Sequence, residues 1–160
     1  MKIYHGSLEI VEHPMILQPN RKLDYGKGFY TTTSEKQSKE WVKRRMFEKH
    51  STYGYVNVYE FDEKKLSEFR SLIFFEPNEK WAEFVMANRT KKDFTHDYDI
   101  VYGPVANDKV YLQFGLYETG AISIETLIRE LKTYKLVDQY LFHTEKALTA
   151  LHFIEATKIE

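Results

Sequence analysis

Apolar and polar positions along this chain fall into short runs whose period switches between two and three to four residues, the pattern of small strands and helices in mixed order. The opening run Lys2-Ile3-Tyr4-His5, stopped by Gly6-Ser7, predicts a strand over residues 2–7 with His5 toward its C-terminal end. Residues 8–21 hold Pro14 and Pro19 and no sustained period, which predicts a loop crossing the surface. Two glycines one residue apart, Gly26 and Gly28, then open onto Phe29-Tyr30-Thr31-Thr32-Thr33, a tight turn feeding a second strand. In that strand Phe29 and Tyr30 point to opposite faces, one expected toward the core and the other outward.

Further on, helical spacing takes over. Ser34-Glu35-Lys36-Gln37 matches a capping box, with Ser34 serving the Gln37 N–H and Gln37 reaching back, and Trp41, Val42, Arg45 and Met46 then share one helix face. The opposite face carries Lys39, Lys43, Arg44 and Lys49, a solvated face that also suits a phosphate or an acidic partner. Residues 54–62 are rich in β-formers and predict a central strand, whereas residues 66–75 fit neither period. Asn78-Glu79-Lys80 opens a helix over residues 78–89, and residues 98–102 predict a strand stopped by Gly103-Pro104. Asn107-Asp108 looks like an N-cap pair, and the spacing of Val110, Tyr111, Phe114 and Tyr117 leans to helix. Ser123 caps a clearer helix with Ile124, Leu127, Ile128 and Leu131 on one stripe. Residues 138–143 predict a strand, Thr144 caps a short helix over Leu148 and Leu151, and residues 153–159 predict a closing edge strand. Without the regularity of repeated strand-helix-strand units, this mixture is α+β.

Composition narrows what such a fold can do. The 160 residues fit a single domain, residues 1–160, and the aromatic share of 16% predicts a core packed largely from rings. With no cysteine, thiolate chemistry and disulfides are excluded, and the six histidines show no close-spaced ligand pattern, so no metal site is expected. A net charge of -1 gives no global basic footprint, which places nucleic acid last among partners. No long apolar run appears, so a membrane is not an expected partner and the cytoplasm is the expected location.

Three polar side chains come at or near strand ends: His5 in the first strand, Tyr30 in the second and Gln139 at the start of a late one. Their order, with Tyr4-His5-Gly6-Ser7 and Gly26-Lys27-Gly28-Phe29-Tyr30-Thr31-Thr32, resembles the histidine-tyrosine-glutamate branch of the ADP-ribosyltransferase superfamily, close to a bacterial domain family of unknown function. The likeness spans nearly the whole chain, since Gly103-Pro104-Val105-Ala106-Asn107-Asp108 and Asp138-Gln139-Tyr140-Leu141-Phe142-His143-Thr144 resemble that family's later motifs. The resemblance implies an ADP-ribosyltransferase-like fold, split β-sheets with flanking helices, gripping NAD in a cleft between two small sheets. It implies that His5 bonds an NAD ribose, that the Gly6 backbone anchors the nicotinamide amide, and that Tyr30 stacks on the nicotinamide ring. Ser7, Asp24, Gly26, Gly28 and Phe29 join the expected NAD-binding set. Asn107 and Asp108 are additional cleft candidates, though helix capping explains them at least as well.

Family transferases usually carry glutamate where Gln139 stands here, a carboxylate that holds the ribose 2′-hydroxyl and stabilises positive charge as nicotinamide leaves. A neutral amide bonds the hydroxyl without supplying that charge. Asp138 is next door, but alternation along a strand turns it to the other face. The expected function is therefore an NAD-dependent ADP-ribosyltransferase acting on a macromolecular acceptor, with hydrolysis of NAD or a non-catalytic nucleotide-binding or protein-interaction module as alternatives. The resemblance further implies a bacterial toxin, effector or phage-defence component, with a small antitoxin-like neighbour as partner.

Overall fold

Residues 1–17 and 23–160 are described by a computed structural model. Residues 8–17 carry no helix or strand, as the proline-bearing run predicts, while residues 18–21 with Pro19 lie outside the described residues. Strands β1 (Lys2–Ser7), β2 (Phe29–Thr32), β3 (Gly54–Phe61), β4 (Ser71–Ile73), β5 (Ile100–Pro104), β6 (Asp138–Phe142) and β7 (Leu151–Ile159) form one mixed sheet in the order β4-β5-β6-β2-β1-β3-β7. Helices α1 (Glu35–Lys49), α2 (Glu79–Thr90), α3 (Asp108–Glu118), α4 (Ile124–Leu131) and α5 (Glu145–Leu148) flank it. The class is α+β. Among the described residues no helix is long and apolar enough to cross a membrane.

Within this sheet the two centre strands barely meet. β1 pairs with β3 along all of Lys2 to Ser7, and β2 pairs with β6 along all of Phe29 to Thr32, yet β1 and β2 share the single register pair Tyr4↔Thr32 among the described residues. The expected pair of small sheets is thus one sheet of two ladders, β4-β5-β6-β2 and β1-β3-β7, joined at a seam.

Opposed residues in a ladder share a face. Tyr30, Thr32, Gly103, Gln139 and Leu141 therefore lie on one face, with Tyr4 across the seam. Helices α1 to α4 cover that face: Val42 packs on Val56 and Val58, while Trp81, Val110 and Leu127 pack with Val101 and Leu141. The opposite face carries Ile3, Phe29, Tyr59, Phe61, Tyr140 and Phe142, closed by Ala147 and Leu148 of α5 and by Leu66 of a 3-10 turn at Glu63–Glu68. It is built from rings, with Phe61 5.0 Å from Tyr140 and 5.5 Å from Phe142 in edge-on contact.

Most caps stand where the sequence puts them. Ser34, Asn78, Asn107, Ser123 and Thr144 each accept a first-turn backbone N–H with their side chain. The first box closes differently: the Thr32 hydroxyl donates to Gln37 Oε1 at 3.1 Å and accepts the Ser34 N–H at 3.1 Å, so Gln37 reaches back to β2 rather than to its own cap.

Four local expectations need correction. Tyr30 does not face outward; both sides of β2 are covered, and its ring packs against the α2–α4 core. The strand expected at 98–102 runs from Ile100 through Pro104, because β6 pairs across it to Asp138 and the Pro104 carbonyl accepts the Tyr25 hydroxyl at 2.7 Å. Leu151 opens β7 rather than extending α5, which is a single turn. The ambiguous stretch resolves into the 3-10 turn followed by β4, parallel to β5, an element too short to show a period of its own.

Candidate functional site

The site begins where the two ladders part. Past Tyr4 the ladder between β1 and β2 stops, and the His5 side chain bridges the gap: Nδ1 donates to the Tyr30 carbonyl at 2.7 Å, while the ring lies 4.2 Å from Phe29 at 30°. A carbonyl only accepts, so Nδ1 carries the proton and the lone pair sits on Nε2. Burial lowers the His5 pKa, which keeps the ring neutral.

Gly6 follows on the α1 side of the same seam. A Cβ there would come within 2.8 Å of the Ser38 carbonyl and of the Val42 side chain, and within 3.1 Å of the Trp41 ring, so helix and strand approach as closely as backbone allows. Ser38 is 2% exposed, and its hydroxyl has no hydrogen-bond partner among the described residues. A buried hydroxyl left unpaired is uncommon and costs stability. Neither Ser38 nor Trp41 was a candidate from sequence; the available signal was a serine one turn before Val42 on the helix's inward stripe.

Tyr30 sits beyond the seam, closing the glycine turn. Its hydroxyl donates to the Gly26 carbonyl at 2.6 Å and accepts the Tyr25 N–H at 3.2 Å, and Gly26 takes the positive φ of 88° that only glycine adopts readily. Burial holds the Tyr30 hydroxyl well above its ordinary pKa. Two histidines outside the predicted set clamp the same turn. His143 Nδ1 donates to the Lys27 carbonyl at 2.6 Å and His96 Nε2 donates to the Tyr25 carbonyl at 2.9 Å, their rings edge-on at 4.5 Å. A Cβ at Gly28 would lie 2.8 Å from His143 Nδ1, so the close approach this glycine permits is filled by an imidazole of the protein itself.

Behind the turn lies a polar cluster. Asp24, 9% exposed, accepts the Ala106 N–H at 3.1 Å, the Tyr111 hydroxyl, and Gln139 Nε2 at 3.5 Å, with Arg89 Nη1 3.7 Å away. Burial raises the Asp24 pKa, and these donors and the arginine pull it back. Gln139, 5% exposed, also lies 3.4 Å from the Pro104 carbonyl. Arg89 stacks over the Tyr111 ring at 4.3 Å, and both line a groove of about 280 Å³ with Met86, Thr90, Phe114, Gly115 and Glu118.

Seen together, the structure joins His5 to Phe29 and Tyr30, Tyr30 to Gly26, and Asp24 to Gln139. Asn107 spends its side-chain oxygen on the Val110 N–H, and Asp108 is exposed in the first turn of α3, so only the neighbouring Ala106 backbone touches the cluster. Ser7 accepts the Glu9 N–H at 3.2 Å in the loop after β1. Asp138 accepts the Tyr102 hydroxyl at 2.8 Å, turned away from the Gln139 side as alternation requires.

A family model matches residues 1–153. The chain belongs to the family described as Protein of unknown function (DUF3990). No curated protein and no solved structure matches it. What this DUF3990 chain presents at its seam is an unpaired hydroxyl, a β1 edge that past Tyr4 has no register partner in β2 among the described residues, and a neutral imidazole. Among the described residues no group of three or more histidine, aspartate or glutamate side chains is placed to hold a metal ion.

Proposed function

We propose that this DUF3990 chain binds NAD at the seam between β1 and β2 and transfers ADP-ribose to a macromolecular acceptor, releasing nicotinamide. The observation that carries the reading is the unpaired Ser38 hydroxyl beside the Gly6 backbone: one donor-acceptor group, 2% exposed, next to a strand whose β2-facing side has lost its ladder. A flat carboxamide is the kind of ligand that satisfies such a pair at once, and reaching it requires α1 and β1 to part at the closed Gly6 contact. His5 Nε2, on the Phe29 side of the sheet, then accepts a ribose hydroxyl, while Tyr30 and Gln139 belong to the helix-covered face, so a ligand that also meets the Tyr30 ring and bonds Gln139 through its ribose 2′-hydroxyl has to pass through the gap where the ladders part. In the reaction the bond from ribose C1′ to the nicotinamide nitrogen breaks, its electron pair leaves with nicotinamide, and a nucleophile of the acceptor bonds C1′ and gives up its proton. Water in place of the acceptor makes the same chain an NAD glycohydrolase. By resemblance, the setting is a bacterial cytoplasmic toxin or effector kept in check by a small antitoxin-like partner.

Nicotinamide release from NAD by the purified chain tests this, run beside His5→Ala, Ser38→Ala and Gln139→Ala at matched folding. Release that falls in all three supports nicotinamide-releasing chemistry at the seam, and labelled ADP-ribose found on a macromolecule rather than free separates transfer from hydrolysis; release indifferent to all three sinks the reading. A second reading, a module that holds a nucleotide without chemistry, is favoured by the neutral Gln139 side chain. It predicts NAD binding in a titration with no release.

A further inference from the structure

We propose that Asp24, held behind Gln139, supplies the negative charge of this site and fixes the Gln139 amide so that its oxygen is the end offered to a ribose hydroxyl; the inference rests on the NAD-using reading above. Gln139 Nε2 lies 3.5 Å from Asp24 Oδ2 and 3.4 Å from the Pro104 carbonyl. Both partners accept and neither donates, so the nitrogen is the end that must face them. The oxygen is left over. It is the end of this 5% exposed side chain that neither Asp24 nor the Pro104 carbonyl engages, and the end the proposal offers to the ribose hydroxyl.

The carboxylate behind it is built to stay where it is. Asp24 meets the Tyr111 hydroxyl of α3, the Ala106 N–H of the segment between β5 and α3, and the Gln139 amide of β6. Burial raises the Asp24 pKa and these donors, with Arg89, work against that rise, so the charge at this position is what the comparison at pH 8 below reads. Arg89 stands 3.7 Å from Asp24 Oδ1, but its side chain is 33% exposed against 11% for Asp24, so water screens the cation more than the anion. A transferase glutamate combines two jobs, bonding the hydroxyl and placing negative charge near the developing cation. In this chain the jobs fall to two residues, Gln139 on β6 and Asp24 on the glycine turn. Asp24 is then a positioning residue, one amide removed from the substrate.

This division has a consequence opposite to the simple view of Gln139 as a weakened glutamate. If nothing stood behind it, Gln139→Glu would restore activity. With Asp24 in place, the substitution sets two carboxylates about 3.5 Å apart, and they cannot both ionise without penalty. Moving the charge forward, with Asp24→Asn and Gln139→Glu together, rebuilds the donor-acceptor pair in reverse.

The experiment measures kcat and KM for nicotinamide release from NAD, and the thermal midpoint at pH 8, for the full chain and for Asp24→Asn, Gln139→Glu and the double variant. Asp24→Asn is expected to lower kcat by about 10²-fold with KM nearly unchanged, the size of a lost preorganised electrostatic group. Gln139→Glu is expected to lower both kcat and the midpoint, and the double variant to recover the midpoint and most of kcat. Gln139→Glu alone more active and no less stable than the parent, or a double variant no better than the worse single, overturns the proposal. Absence of NAD binding and turnover in the parent chain overturns the reading beneath and the catalytic half with it. In that case the midpoints still decide whether Asp24 carries its charge against position 139.

Discussion

The two edges of β1 present the same six residues to different neighbours. Toward β3 every residue from Lys2 to Ser7 has a register partner, and the Asn57 side chain adds bonds to the His5 and Glu9 carbonyls at 3.3 and 3.1 Å. Toward β2 one pair survives, and an imidazole takes over beyond it. The glycine turn makes a related contrast one strand away: Tyr30, His96 and His143 answer the carbonyls of Gly26, Tyr25 and Lys27, with His143 Nε2 left buried and unpaired among the described residues, whereas the Ser38 hydroxyl across the seam answers nothing at all. Paired polar groups rigidify a fold, as the three bonds to the turn carbonyls do, and a group with no bond at the join of two ladders is where a ligand has something to add.

Breaking the closed side should cost the most. Tyr30→Ala removes a ring packed on the α2–α4 core together with both hydrogen bonds to the turn, and is expected to destabilise the chain by about 3–5 kcal/mol in denaturant unfolding. Tyr30→Phe keeps the ring and should cost about 1–2 kcal/mol, so a Phe variant as unstable as the Ala variant would place the stability in the hydroxyl rather than in packing. A smaller effect comes from acid. Burial brings His143 down to about 4 from an ordinary 6.5, with the bond to the Lys27 carbonyl opposing, His96 pushing the same way as burial and Asp99 opposing more weakly. Between those values the unfolded chain binds a proton that the folded chain refuses, so this stability is fully present above pH 6.5 and is lost as pH falls toward 4. The slope is worth about 2 kcal/mol after allowing for the partial exposure of the ring. Burial lowers the His5 pKa too, so His5 adds to the slope in the same direction. His143→Asn keeps a donor near the Lys27 carbonyl and should flatten the acid limb of a stability-against-pH curve without abolishing it.

How much of this was legible follows from which signals are local. Helix starts were, because Ser34, Asn78, Asn107, Ser123 and Thr144 act on N–H groups within three residues of themselves. The glycine turn was legible for the same reason, though not which of its two glycines takes the positive φ, which is Gly26. β4 was not: three residues held by a parallel partner 29 positions away in sequence carry no pattern of their own. The outward side of Tyr30 was misjudged because alternation says only that neighbouring residues face apart, and α2, α3 and α4, which cover the second face, arrive later in the chain. The histidine clamp joins positions 27 and 143 and positions 25 and 96, and the Asp24 to Gln139 contact spans 115 residues; spacing along a chain does not reach that far. His5 could be suspected at a strand end, but its bond to the Tyr30 carbonyl exists only because the β1–β2 ladder stops at one pair.

The smallest expected change in stability is the one that most sharpens the contrast. Ser38→Ala removes a buried hydroxyl that has no partner among the described residues, so no hydrogen bond is lost and a desolvation cost is relieved. Its unfolding free energy should fall within about 0.5 kcal/mol of the parent, or rise. Binding should move the other way. If the hydroxyl waits for a carboxamide, the same substitution should weaken nicotinamide or NAD by roughly tenfold, the worth of one hydrogen bond to a ligand in a closed site. Calorimetric titration of the parent and Ser38→Ala chains reads both sides. A variant less stable by a kcal/mol or more would mean that Ser38 has a structural partner after all and belongs with the closed side of the seam, whereas unchanged stability with weakened binding would separate the open side from the closed at a single atom.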